Sequence, residues 1–221
     1  IGQNITNKEI RVIGYGSVNG IDTHYFKDTF TQSQKEYIKK QLNITPNDCV
    51  LIYIGRVVKD KGIDELVEAF TSLQELNKEL KLLIIGEMEE HLNPVDHGTL
   101  QIIASHENII YKDFSMDIRK YLSISDIFLL PSYREGLPNI LLEAGSFGVP
   151  IITTNINGCN EIVVNYKNGL LIEKKDADSI KSAVNSLITD RKLYRFLKSN
   201  ARSCIKSKFS QDYFHKELLK E

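Results

Sequence analysis

The stretch Val50-Leu-Ile-Tyr-Ile54-Gly55-Arg56-Val-Val-Lys-Asp-Lys61-Gly62-Ile63-Asp-Glu-Leu66-Val67-Glu-Ala-Phe70-Thr-Ser-Leu73-Gln-Glu-Leu76 decides the fold. Residues 50–54 are a short continuous apolar run, as expected of a strand covered on both faces. From Ile63 the apolar residues return at Leu66, Val67, Phe70, Leu73 and Leu76, which is helical spacing. Strand, loop and amphipathic helix make one βα unit, and the alternation continues. Further strands are predicted at 80–85, 108–111, 127–130, 150–153 and 169–172. Helices are predicted at 32–42, 100–104, 118–122 and 138–147, with a helical turn at 161–164. Helices at 177–188, 191–208 and 211–219 close the chain. A strand at 10–13 and a Gly-rich loop at 14–20 come first. The pattern predicts an α/β fold: a doubly wound parallel sheet of about six strands, helices on both faces and a helical C-terminus. Ligands bind such sheets beyond the carboxyl ends of the strands. The loops after Ile54, Ile85, Tyr111, Leu130 and Thr153 are therefore the ones to search.

Composition bounds the class. The 221 residues suffice for one large domain or a small pair. Apolar residues make up 42% and charged residues 26%, the balance of an ordinary globular protein. A net charge of −1 gives no electrostatic case for nucleic acid, and any membrane contact has to be local. The longest apolar runs, 82–85 and 127–130, are too short to span a bilayer, and no signal-peptide pattern is present. Cys49, Cys159 and Cys204 form neither a zinc pattern nor a disulfide framework. A reducing, cytoplasmic setting is the simplest reading. Cys159 lies in a Gly-rich loop, which offers it as a ligand contact. The histidines are scattered, with no metal partner at i+4. The chain opens at Ile1 rather than Met and ends within a charged helical pattern, which suggests a fragment of a longer protein.

Two loops carry chemistry. In Gly55-Arg56-Val-Val-Lys-Asp-Lys61-Gly62 a guanidinium fork and an ammonium group stand where a helix begins. That suits a diphosphate; a solvated basic loop is the plainer alternative. The P-loop pattern is absent. The second loop is Pro131-Ser-Tyr-Arg-Glu135-Gly136-Leu137-Pro138-Asn139-Ile140-Leu-Leu-Glu143-Ala144. Pro138 is expected at the first helical position, where its missing N–H costs nothing. Glu135 then stands at a helix mouth and Glu143 inside the helix, with exposed amides between them for an anion. Carboxylates for hydroxyls beside amides for phosphate suit a sugar nucleotide.

Two other readings of the acids stay open from the residues alone. One is helix-dipole decoration, which accounts for Glu135 better than Glu143. The other is a hydrolase acid/base pair. A basic loop opposite both acids favours binding an anionic leaving group over cleaving a neutral glycan. In Asn155-Ile-Asn-Gly158-Cys159-Asn160-Glu161, Asn160 is expected to cap a helix. Gly14-x-Gly16-x-x-Asn19 imitates a dinucleotide fingerprint but lacks the third glycine and the immediate helix, so it reads as a tight loop.

These residues together resemble a known family. Gly55-Arg56…Lys61-Gly62, Glu135-Gly-Leu-Pro…Glu143-Ala, Gly148-x-Pro150 and Gly158-x-x-Glu161 occur in order, with Asn19-Gly20-Ile-Asp22 before them and Asn168-Gly169-Leu170 after. They look like the carboxyl-terminal half of a GT-B glycosyltransferase of family 4, the retaining group 1 transferases, over about residues 10–209. Pro-Ser-Tyr-Arg-Glu-Gly-Leu-Pro and Gly-Cys-x-Glu are similar to a subgroup that extends polyprenyl-diphosphate-linked glycans for capsules and O-antigens. The resemblance implies that Arg56 and Lys61 hold the donor diphosphate and stabilise its departing charge. It implies that Glu135 contacts hydroxyls of the donor sugar and that Glu143 binds the ribose. The backbone of Gly136, Leu137, Pro138, Asn139 and Ile140 would cradle sugar and phosphates. Gly55 and Gly86 would line the donor site, and Tyr111 to Phe114, with Asp113, would hold the base. It implies a nucleotide sugar, UDP-linked by subgroup, as donor, no metal and no other cofactor.

Residues 1–30 would then lead in from a missing amino-terminal domain, with 31–221 as the nucleotide-sugar-binding domain. The acceptor glycan and any peripheral membrane contact would belong to the missing half, and the chain alone would bind nucleotide without transfer. Two departures stand out: Asp113 replaces a glycine usual in the base loop, and Glu87-Met88-Glu89-Glu90 is acidic for a loop near phosphates. A stand-alone sugar-nucleotide-binding module and a nucleotide-sugar epimerase or hydrolase are the alternative functions.

Overall fold

The computed structural model describes residues 12–16, 19–89, 91 and 93–220. Its centre is β1 (Cys49–Ile54), hydrogen-bonded along both edges. On one side lies β2 (Leu80–Ile85), in register from Cys49↔Leu80 to Ile54↔Ile85, and beyond it β3 (Ile109–Lys112). On the other lies β4 (Ile127–Leu130), then β5 (Ile151–Thr154) and β6 (Gly169–Ile172). The six described strands run parallel in the order β3-β2-β1-β4-β5-β6. Val50 to Tyr53 and Leu82 to Ile84 have essentially no exposed surface, as expected of strands covered on both faces.

Helix α1 (Gln32–Gln41) precedes β1, and α2 (Ile63–Leu76) follows it. α2 buries Ile63, Leu66, Val67, Phe70 and Leu73, each burial contributing about 1.5–3 kcal/mol before entropy is charged against it. Leu76, the last residue of the expected stripe, is 87% exposed because α2 ends there. Then come α3 (His97–Ser105), α4 (Arg119–Leu122), α5 (Asn139–Phe147), α6 (Cys159–Ile162), α7 (Ala177–Thr189), α8 (Arg191–Phe209) and α9 (Gln211–Leu218). α2 packs on α3 and α7, and α5 packs on α8. No helix of the described residues is long and apolar enough to cross a membrane.

A strap before α1 is tied to the last helices. Ile21 N–H donates to the Phe209 carbonyl (2.7 Å), and Gln211 N–H donates to that of Ile21 (3.1 Å). The Arg202 guanidinium donates to the carbonyls of Thr23 (2.6 Å), Phe26 (2.9 Å) and Ser146. This holds Phe26 at the carboxyl-end rim of the sheet.

Several expectations need adjustment. Of the strand expected at 10–13, residues 10 and 11 lie outside the described residues, and Val12 and Ile13 lead into a turn closed by Gly16 N–H on the Ile13 carbonyl (3.1 Å). Pro138 is not the first helical residue. Its ψ of 107° keeps it out of α5, and its carbonyl accepts from Leu141 N–H, so it holds the N-cap position. Asn160 does not cap α6, which has already begun at Cys159; its amide donates to the Asn155 side chain (3.0 Å). Gly158 stands at the cap, and its N–H donates to the Glu161 carboxylate (3.2 Å). The α3 helix starts three residues earlier than its apolar run suggests, because the polar first turn carries no periodic signal.

Gly158 also fixes the mouth of α5. Its φ is +82°, and a methyl group there would lie 1.5 Å from the Gly136 carbonyl oxygen. Gly158→Ala is therefore expected to destabilise the fold by about 3 kcal/mol, combining left-handed strain with displaced backbone. Urea unfolding of variant and wild type checks this; equal midpoints would mean that the α5 mouth is not held there.

Candidate functional site

The chain lays down β1, β2 and β3 to one side and then returns to place β4 against the free edge of β1. The loops after β1 and β4 flank that reversal at the carboxyl ends, the crevice position where doubly wound sheets bind ligands. The two motif-bearing loops are these two. Lys61, in the turn before α2, points its ammonium at the Glu135 carboxylate (2.7 Å), and the two side chains are only 17% and 12% exposed. Other contacts zip the loops together. Tyr133 N–H donates to the Asp60 carbonyl (2.8 Å), and its hydroxyl donates to both oxygens of Glu65 (2.6 and 2.8 Å). The Arg134 guanidinium donates to the Asp60 carboxylate (3.0 Å).

Beside this crevice a cleft of about 500 Å³ runs along the ends of β1 and β2 to α5. Gly55, Arg56, Gly86, Ile140 and Glu143, all expected in the site, line it together. Phe26, Phe114, Ser115 and Met116 line it as well. Gly86 permits a close approach here: with φ +145°, a methyl group on it would lie 1.9 Å from the Gly55 carbonyl oxygen. The Tyr111 hydroxyl donates to the Gly86 carbonyl (2.9 Å), so this ring braces the loop after β2. Asp113 turns back on its own backbone and accepts from Phe114 N–H (2.7 Å). Gly136 and Asn139 are exposed at the mouth of α5, with Leu137 half-buried and Pro138 buried between them. The first amides of a helix have no intrahelical acceptor and favour an anion.

The electrostatics are tightly balanced. The Arg56 guanidinium donates to both oxygens of Glu89 (2.9 and 3.1 Å), which holds its pKa above the ordinary value. The acidic loop after β2 thus occupies the guanidinium expected to bind diphosphate. Below it, the Tyr53 hydroxyl donates to the Arg56 carbonyl (2.6 Å). Burial first, then the nearby Glu135 carboxylate, pushes Tyr53 well above its usual pKa. Glu143 is half-buried, and that burial raises its pKa. Cys159 is fully buried and its thiol is pushed up to about 11, chiefly by desolvation. It is a packing residue rather than a ligand contact. No described group of three or more His, Cys, Asp and Glu could hold a metal ion. Phe26, Met116 and the Glu89 contact were not read from the sequence. Phe26 arrives from a strap remote in the chain, Met116 sits in an aperiodic loop, and Glu89 signalled only unusual acidity.

The family described as Glycosyl transferases group 1 matches residues 34–204. The chain belongs to this family. Among the relatives of this group 1 domain is the capsular polysaccharide biosynthesis glycosyltransferase CapM of Staphylococcus aureus, 33% identical over 210 residues, covering 95% of this chain and 54% of CapM. The chain thus spans about half the length of the curated relatives it matches. The solved C-terminal domain of LpcC, a group 1 family protein of Francisella tularensis, superimposes with a TM-score of 0.75 at 26% identity. That match covers 86% of this chain and 99% of the LpcC domain. HepE of Anabaena, solved in complex with UDP-glucose, gives a TM-score of 0.80 at 20% identity over 91% of this chain and 55% of HepE, a likeness of fold. The domain is the Rossmann-like half of a GT-B fold.

The raised pKa of Glu143 has a stability consequence. A carboxyl whose folded pKa lies above its unfolded value favours folding when protonated, and that contribution is lost as pH rises through the folded pKa. Glu143→Gln should therefore be more stable than wild type at pH 7, with the difference closing as pH falls below the ordinary carboxylate range. Urea titrations at both pH values check it; a variant less stable at pH 7 would mean that Glu143 has a favourable partner.

Proposed function

We propose that this chain is the donor-binding half of a retaining glycosyltransferase that moves a hexose or N-acetylhexosamine from a UDP-sugar to a growing bacterial surface glycan. The observation that carries the reading is the Lys61–Glu135 pair at the β1/β4 reversal, beside a cleft that joins Arg56 to Glu143. A cation held by a carboxylate inside a crevice is oriented before any anion arrives. In this reading the donor diphosphate takes Lys61 from Glu135 and Arg56 from Glu89. The freed Glu135 accepts hydrogen bonds from hydroxyls of the donor sugar. Glu143, beside the apolar cleft wall, accepts from the ribose hydroxyls, and the uracil lies toward Tyr111, Asp113 and Phe114.

Chemistry then rests on charge. As the glycosidic bond to the diphosphate breaks, negative charge grows on the leaving oxygen. Lys61 and Arg56, already turned to the diphosphate when the donor binds, stabilise it together with the α5 amides. These groups serve in place of a metal, and no proton transfer is assigned to Glu135 or Glu143. The acceptor, a polyprenyl-diphosphate-linked glycan, would be held by a domain beyond this chain, so the chain alone binds donor nucleotide and transfers little or no sugar. The enzyme would work in the cytoplasm, at the inner face of the plasma membrane. The resemblance of the 131–138 string and the capsular role of the relative CapM support that setting.

Isothermal titration with UDP and GDP tests the reading. UDP is expected to bind the chain more tightly than GDP, and Arg56→Gln to weaken UDP by about tenfold, the loss of a charge-assisted pair. Lys61→Ala should weaken it at least as much, with circular dichroism to confirm that the stranded Glu135 leaves the fold intact. No binding of either nucleotide at millimolar concentration, or unchanged affinity in both variants, would overturn the proposal.

A further inference from the structure

Helix α8 carries seven cations, Arg191, Lys192, Arg195, Lys198, Arg202, Lys206 and Lys208, and no acid along its 19 residues. Two of these face inward: Arg202 onto the strap carbonyls, and Lys208 onto the Tyr15 ring. The other five are exposed, and among the described residues none forms an ion pair. Leu197, Ala201, Ile205 and Phe209 occupy the buried side. Phe196 stands outside it at 52% exposure, between Arg195 and Lys198. The basic surface continues onto α1, where Lys39 and Lys40 line a cleft of about 790 Å³ together with Lys198. The acids in that cleft are Glu36 and Asp126, and the Asp126 carboxylate already accepts from Val50 N–H (2.8 Å).

We propose that the exposed face of α8, with the adjoining end of α1, docks on an anionic phospholipid bilayer. In a chain of net charge −1, cations without a carboxylate partner among the described residues, gathered on one helix, are a local feature that a charged surface can read. They are spread along a helix about 28 Å long rather than converging on a point, which fits an extended surface better than a compact anion. The apolar side of α8 is taken up by the core, so docking is electrostatic, with Phe196 as an interfacial anchor. An acidic groove-binding polymer would call for several aromatics along a track, and α8 exposes one. This contact belongs to the present half of the molecule, in addition to any made by a further domain, and it does not rest on the nucleotide reading.

Flotation of the purified chain with lipid vesicles tests it, without nucleotide. Binding is expected to vesicles containing about a third phosphatidylglycerol, to be absent with phosphatidylcholine alone, and to be lost at high salt. Lys192→Gln with Arg195→Gln should lower the partition coefficient by about 25-fold, roughly fivefold per cation. Phe196→Ser should lower it several-fold. The control pair Lys167→Gln with Lys174→Gln makes the same change in net charge away from α8 and should leave partition within about twofold. Equal binding to neutral vesicles, or equal loss in the control pair, would overturn the proposal. So would binding to heparin with none to anionic vesicles, which would mark the face as one for an acidic macromolecule.

Discussion

Strand β1 is bonded on both edges and covered on both faces, and the rest of the molecule is arranged around that constraint. Its run of Val, Leu, Ile and Tyr cannot meet solvent anywhere, so the next strands must pair beside it and helices must close over both sides. Once β2 and β3 take one edge, β4 has only the other. The loops after β1 and β4 are thereby set on either side of the reversal, and the place of the crevice follows from the strand order itself. The site is a by-product of packing a strand with no free edge, and the polar residues at its rim inherit a fixed spacing.

Those residues are held more by each other than by the core. Lys61 and Glu135 are nearly out of solvent, where losing one partner leaves the other's charge uncompensated. Asp60, beside them, bonds Arg134 through one oxygen, while its other oxygen is buried without a partner; the buried Ser132 hydroxyl likewise has none among the described residues. Buried polar atoms are normally satisfied. Their clustering at one loop pair marks the place where packing rules yield to another requirement.

The fold was legible because its signals are local. The apolar runs of β2, β4 and β6 carry their own bounds, and the stripe of α2 needs no distant partner. The candidate site was legible where chemistry is written into one loop, as in Gly55 to Gly62 and Glu135 to Glu143. What could not be read depends on three-dimensional neighbours. Pro138 reads as a helix opener, and only its ψ shows it standing outside. Asn160 reads as a cap, yet Glu161 satisfies the Gly158 amide first. Phe26 reaches the cleft because Arg202, 176 positions along the chain, grips its carbonyl. No periodicity in residues 20–30 announces that grip.

The pairing of Arg56 with Glu89 and of Lys61 with Glu135 has one more implication. Arg56 and Lys61 each already carry a counter-ion, so the crevice projects little field into solution. On the proposed function, an incoming diphosphate would not be drawn from a distance; it would arrive by diffusion and displace a carboxylate already in position. Simple phosphates would gain little from that exchange. A ligand that also fills the apolar cleft and gives the displaced carboxylates hydroxyls to bind would gain much more. Selection at such a site would operate by exchange of partners rather than by attraction.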